Sequence, residues 1–248
     1  MIFRLTVSYR GEAYAGWQRQ PNALGVQQVV EEALEQLVSA PVKVTGAGRT
    51  DAGVHAAGQV VHLALDERWA PEALVGGTNH RLPDDIRVLD AAPASAEFHA
   101  RKSAIAKEYR YHLSRAPVIS PLEAPFCAAA PRDLDLDLLS RGARVLEGRH
   151  DFTAFAKAGG SHTSPYRQIF LARFDAVGDR LTFRVIGDGF LRGMVRALVG
   201  SLIDLGRGRV PLSAFEALLE GRPRSAAGAA AKARGLVLQK VFYEGDRW

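Results

Sequence analysis

Between two apolar, strand-like stretches lies Gly46-Ala47-Gly48-Arg49-Thr50-Asp51-Ala52-Gly53-Val54-His55. Three glycines bracket a cation and a carboxylate two residues apart. Glycine permits positive φ and close approach of a ligand to the backbone. Asp51 can therefore stand at a sheet edge facing a cleft, where a carboxylate serves as nucleophile or base. A plainer account is also open: Asp favours turns because it hydrogen-bonds its own backbone, and Arg49 would then be a solvated loop cation. The segment is not a phosphate-binding loop, since no Lys-Ser/Thr follows its glycines. It offers no second carboxylate for glycosidase chemistry. His55 has no second His at metal-ligand spacing, so a structural hydrogen bond is expected of it. Cys127 is the single cysteine, which leaves no internal disulfide and no zinc cluster. Its neighbours Pro125, Phe126 and Ala128 to Ala130 supply no base or cation, so an inert thiol is expected.

The elements that must hold this loop follow from periodicity. Phe3, Leu5, Val7 and Tyr9 alternate with Arg4, Thr6 and Ser8, giving a half-buried strand. Val26, Val29, Val30, Ala33, Leu34 and Leu37 recur at helical spacing. Val42 to Thr45 and Gln59 to Leu65 read as strands on either side of the glycine-rich break. A helix is expected from Pro71 and a short strand over Ile86 to Val88. In the second half, Lys107 to Leu113 alternates, with Tyr109, Tyr111 and Leu113 on one face. Leu134 to Leu146 reads as a helix. Phe170 to Ala176 and Leu181 to Ile186 read as a hairpin turning at Val177-Gly178-Asp179. Phe190 to Ile203 reads as an amphipathic helix, Ser213 and Glu216 as a capping box, and Leu236 to Tyr243 as a closing strand. Strands with one polar face imply antiparallel sheets with helices packed on the other side, an α+β class. The break between halves is expected near residues 100 to 106, giving 1–103 with the Asp loop and 104–248.

The 248 residues provide ample material for a core, and the formal net charge of +5 suits a polyanionic partner. No apolar run approaches the ~20 residues needed to cross a bilayer. Arg4, Thr6 and Ser8 interrupt any signal-peptide core. A cytoplasmic location is the expectation.

Gly48 to His55 resembles the signature of the tRNA pseudouridine synthase A (TruA) family. Further stretches resemble the same family in the same order: Tyr14 with Gly16-Trp17-Gln18-Arg19-Gln20, Gly58-Gln59-Val60-Val61-His62, and Asn79 with Leu82-Pro83. Phe98-His99-Ala100-Arg101, Tyr109-Arg110-Tyr111, Asp151-Phe152-Thr153 with Phe155, and Met194-Val195-Arg196 with Val199-Gly200 follow. The resemblance runs from about residue 3 to about residue 243, and a motif gains force from such ordered context. It implies two RRM-like or ferredoxin-like halves whose antiparallel sheets join into one, with a central active-site cleft. It also implies a homodimer that binds the anticodon stem-loop of tRNA, acts at positions 38 to 40, and uses no cofactor or metal.

The resemblance assigns roles. Asp51 is the expected nucleophile. It would attack the ribose C1′ or the uracil C6, or first deprotonate the sugar at C2′. Arg196 matches the family's cation and Tyr109 its active-site aromatic, both bound for the target uridine. Arg49 is expected to hold the gap left by the flipped base. Phe98, His99, Ala100, Arg101 and Lys102 are expected at phosphates, and Gly159, Gly160, Ser161, His162 and Thr163 resemble a tRNA-contacting insertion. Gly193 beside Arg192 departs from the commoner pattern and touches base-contact geometry rather than the nucleophile. An RNA-binding protein without activity would not keep Asp51, Arg196 and Tyr109 together, and a synthase acting on ribosomal RNA would lack so long a match.

Overall fold

Strand β1 (Ile2–Tyr9) sets the pattern: Phe3, Leu5, Val7 and Tyr9 are buried and the residues between them are half-buried. A computed structural model describes residues 1–160 and 163–248 of the chain. It divides into two compact units, Met1–Ile105 with Val237–Trp248, and Ala106–Leu236. No helix among the described residues is long and apolar enough to cross a membrane.

In the first unit, helix α1 (Val26–Val38) and a short strand β2 (Thr45–Gly46) precede β3 (His55–Ala64). Helix α2 (Pro71–Asn79) and β4 (Ile86–Ala94) follow. β1 pairs antiparallel with β3, Leu5 opposite Val61, and on its other side antiparallel with β4, Leu5 opposite Ala91. The last strand of the chain, β10 (Leu236–Phe242), lies parallel to β3, with Val237 opposite His55 and Leu238 opposite Ala56. The order in this unit is therefore β4-β1-β3-β10.

The second unit begins with β5 (Ala106–Ser114) and a two-residue β6 (Ala128–Ala129) parallel to it. Helix α3 (Leu136–Arg144) leads to β7 (Gly148–Asp151), and the long hairpin β8 (Tyr166–Val177) and β9 (Arg180–Gly187) comes next. Helices α4 (Met194–Gly206) and α5 (Leu212–Glu216) complete it. The order is β5-β9-β8-β7, antiparallel throughout. The mixture of mainly antiparallel sheet and flanking helices is α+β, as the periodicities require.

Three local expectations change. The strand expected over Val42 to Thr45 shrinks to Thr45–Gly46. Val42 and Val44 are buried, but their backbone bonds go to side chains of α1. Val42 N–H donates to Glu35 Oε1 at 3.1 Å and Val44 N–H to Glu31 Oε1 at 3.1 Å. The helix expected from Phe190 begins at Met194, because Gly193 is left-handed at φ 70 and interrupts the run. The capping box is not formed: Pro211 is the N-cap, so Ser213 already lies inside α5. At α3 the cap is Asp135, whose Oδ1 accepts from Leu138 N–H at 2.9 Å.

Candidate active site

The chain from Thr45 to Val54 is tied down almost residue by residue. Ala47 N–H donates to Val60 O at 2.8 Å, and the Gln59 amide donates to Gly48 O at 2.7 Å. Thr50 is buried, and its hydroxyl shares a 2.8 Å bond with the Tyr9 hydroxyl. Burial pushes the Tyr9 phenol well above its ordinary value, against the opposing bonds to Thr50 and Gln59. Tyr9 is thus a neutral hydroxyl partner at any physiological pH. Thr50 O accepts from Trp17 N–H at 3.1 Å, and Trp17 stacks on Tyr9 with centroids 5.9 Å apart. Just after the loop, the His55 ring is buried and its Nδ1 accepts from Gly11 N–H at 3.1 Å, the structural role expected of it.

Asp51 sits half-buried between these anchors, and its carbonyl closes a turn with Val54 N–H at 3.1 Å. Gly16 explains how the loop before α1 can pack so closely here. Its φ is +100, and a Cβ on it would lie 2.5 Å from Thr50 O and 3.2 Å from the carbonyl carbon of Asp51. Only glycine fits both demands. Arg49 is exposed, and its Nε donates to Gln18 Oε1 at 3.0 Å. The loop therefore presents a carboxylate and a guanidinium from a backbone that is held in place before any substrate arrives, the arrangement a nucleophile needs.

The turn Phe98 to Lys102 belongs to the same unit. Ala100 is buried, and its N–H donates to His62 Nδ1 at 3.1 Å while its carbonyl accepts from the Tyr243 hydroxyl at 2.8 Å. Arg101 and Lys102 both donate backbone N–H to His99 Nδ1, at 3.1 and 3.2 Å. Phe98 packs its ring on Tyr243 at 5.1 Å and on His62 at 6.1 Å. Burial, then the neighbouring His99, pulls the His62 ring below its ordinary value. Phe98 and Ala100 are thus anchors, and Arg101 and Lys102 are the exposed cations that the anchored turn displays.

In the second unit, Tyr109 is buried on β5 and meets Phe190 edge-to-face at 5.1 Å. Arg196 lies in the first turn of α4, where its Nε donates to Ala231 O at 2.7 Å and its carbonyl accepts from Ala231 N–H at 2.9 Å. Tyr111 is fully buried, and its hydroxyl donates to Lys232 O at 2.8 Å. Burial pushes that phenol up to about 12, opposed by the positive charge of Arg196 and Arg234. Gly159 lies at φ +76 beside the Arg192 side chain, and Lys157 N–H donates to Arg192 O at 2.8 Å. Gly160 is half-buried and Thr163 exposed. Ser161 and His162 fall outside the described residues. Cys127 is buried, and burial followed by Glu123 pushes its thiol up, consistent with an inert side chain.

A family model described as tRNA pseudouridine synthase matches residues 5–101 and 143–244, which include Asp51, Arg49 and Arg196. The chain belongs to the tRNA pseudouridine synthase family. It is 44% identical over 242 residues to tRNA pseudouridine synthase A of Syntrophotalea carbinolica, covering 98% of this chain and 96% of that one. It is 43% identical to the enzyme of the same name from Pelobacter propionicus, with 97% and 98% covered. With that from Exiguobacterium sibiricum it shares 40%, with 97% and 96% covered. Pseudouridine synthases are isomerases, and as a member of the family this chain is one.

Several residues that shape the synthase's loop escaped sequence reasoning. Thr50, Tyr9 and Gln59 fix its backbone, yet each reads in sequence as an ordinary strand or turn residue. Gln27 and Glu31 are different. They are buried polar side chains one helical turn apart on α1, on the face that also carries Val26, Val30 and Leu34. A Gln and a Glu interrupting an apolar helical stripe is a legible signal, because buried polar groups need partners.

Proposed function

We propose that this isomerase converts uridine to pseudouridine in the anticodon stem-loop of tRNA, at positions 38 to 40, with Asp51 as nucleophile. The observation that carries the reading is the loop itself. A carboxylate and a guanidinium two residues apart stand on a backbone anchored by Tyr9, Trp17, Gln59 and the glycine at position 16.

The reaction breaks the N1–C1′ glycosidic bond and forms a C5–C1′ bond to the same uracil. The C5 hydrogen leaves to solvent as a proton and another proton returns to N1, so composition is unchanged and no oxidant is required. Asp51 enters by attack at C1′, by attack at C6, or by removing the C2′ proton, and each route leads to the same product. Arg49 holds the space of the extruded base, whose unstacking costs a few kcal/mol. Tyr109 stacks on the freed uracil, and Arg196 serves as the family's cation for the target uridine. Arg101 and Lys102, with the Gly159 to Thr163 segment, bind phosphates. The enzyme works as a cytoplasmic homodimer. Each of these assignments rests on the residue matches, on the anchored loop and turn, and on the chain's positive charge.

The test uses tRNA transcripts tritiated at uracil C5, with wild type and Asp51→Asn side by side. C5–C1′ bond formation must expel tritium. Release by the wild type alone, with the product mapped to positions 38 to 40, supports the reading. Release by both proteins removes Asp51 from the nucleophile's place. Binding of tRNA without release by either points to another RNA substrate.

A further inference from the structure

Arg49 has an unusual partner for a cation beside a catalytic carboxylate: the neutral amide of Gln18. Its Nε donates to Gln18 Oε1 at 3.0 Å. Gln18 Nε2 donates to Gln27 Oε1 at 2.6 Å, and the same oxygen accepts from Arg19 N–H at 3.1 Å. Gln27 Nε2 in turn donates to Glu31 Oε1 at 3.0 Å and to Val44 O at 3.1 Å. Glu31 also accepts from Val44 N–H and from Arg19 Nη1, each at 3.1 Å. Gln27 and Glu31 are 7% and 3% exposed, so the inner end of the network is buried, while the Gln18–Arg49 bond at its outer end lies at the surface.

We infer that Gln18, Gln27 and Glu31 form a polarised amide relay that positions Arg49 for the extruded base. The direction of the relay is fixed at its buried end. A carboxylate only accepts, so Glu31 draws the NH₂ of Gln27. The Gln27 oxygen must then face outward, where it meets the NH₂ of Gln18. That in turn leaves the Gln18 oxygen toward Arg49. Each amide has two faces of opposite character, and one buried acceptor sets them all. The arrangement also solves an electrostatic conflict. A carboxylate against Arg49 would hold it equally well but would neutralise the charge that a polyanion must feel. An amide orients the guanidinium and leaves its charge intact, while the Glu31 charge, two amides away from Arg49, is compensated directly by Arg19.

The inference rests on the reading of Arg49 as a base-handling residue. Gln18, Gln27 and Glu31 are positioning residues, since they act through Arg49. The test is Gln18→Met, which keeps the length of the stem and removes the amide, in the full-length protein. The exchange of the Arg49 Nε–H with solvent is followed by NMR in arginine-labelled protein, the signal being assigned by its loss in Arg49→Ala. Single-turnover rates and tRNA affinity are measured for Gln18→Met, Arg49→Ala and the double variant. The relay requires faster Nε–H exchange in Gln18→Met and a rate lower by roughly 10-fold, the scale of a small misplacement. It requires tRNA affinity within about twofold of wild type, and no further loss when Gln18→Met is added to Arg49→Ala. Unchanged Nε–H exchange, or a rate loss that adds in full to that of Arg49→Ala, overturns it. A fully active Arg49→Ala instead overturns the reading of Arg49, and the relay would then have nothing to position, whatever the exchange data say. An unaltered melting temperature for Gln18→Met excludes a general loss of structure.

Discussion

At the residue scale Asp51 is the proposed nucleophile. Asp51→Asn is isosteric and cannot act as nucleophile or base, so single-turnover pseudouridine formation should fall by roughly 10³-fold or more while tRNA affinity is kept, since only groups acting on the reacting atoms lose rate without binding. Comparable loss of affinity and rate would recast Asp51 as a structural residue. The proposed phosphate contacts make a different prediction. Arg101 is displayed on a turn whose neighbours are pinned by His62, His99 and Tyr243. Arg101→Ala should weaken tRNA binding uniformly and lower the slope of log affinity against log salt by roughly 1. An unchanged slope would remove Arg101 from the RNA surface. Thr50 and Gln59, by contrast, could not be found from residue type, because their value lies in one hydroxyl and one amide reaching a loop whose path the sequence does not reveal.

At the element scale, the pair β5 and β9 carries a compact charge cluster. Glu108, with a side chain 4% exposed, accepts Arg184 Nε at 2.8 Å and Nη2 at 3.2 Å, and Arg110 Nε at 2.7 Å. Burial alone would raise the Glu108 carboxyl, but the two guanidiniums overcome it and hold the group below its ordinary value of 4.5. A depressed carboxylate stabilises the fold fully above its unfolded value, and that stability is lost as pH falls through the lower folded value. Glu108→Gln should therefore cost about 1 kcal/mol at neutral pH, because Arg110 and Arg184 are partly exposed and solvent screens the charges left behind. The gap from wild type should narrow below pH 4.5, as denaturant melts across pH would record. A gap independent of pH would mean that the cost is packing alone. Gly16→Ala tests the loop in the same way. Its positive φ and the 2.5 Å approach to Thr50 O make a Cβ costly, so about 2 kcal/mol or more of stability should go, together with activity, because the displaced atoms belong to Thr50 and Asp51. Elements with strong period, such as β1 and α1, were legible in sequence. Val42 to Thr45 was not, because side chains of α1 took the backbone bonds that a strand would have used.

At the scale of the whole molecule, the last strand belongs with the first unit. β10 lies parallel to β3, and Leu238, Val241 and Phe242 are buried. Removing residues 237–248 should destabilise that unit by several kcal/mol, since three large core side chains are lost at once. Limited proteolysis of the truncated chain should then cut first within Met1–Ile105; a protected first unit would show that β10 is dispensable. The sequence alone determined the α+β class, the run of most elements, the Asp51 loop and the family, because these are written in local periodicity and in ordered motifs. Only the tertiary structure decided that β10 returns to pair with β3, that Tyr9 and Gln59 clamp the loop, and that Gln18, bonded in turn to Gln27, reaches Arg49. Those partners stand from 9 to 41 or more positions apart in the chain, as Gln18 to Gln27 and Tyr9 to Thr50 illustrate. Hydrogen bonding at such separations depends on where folding brings two side chains, and residue spacing carries no record of that.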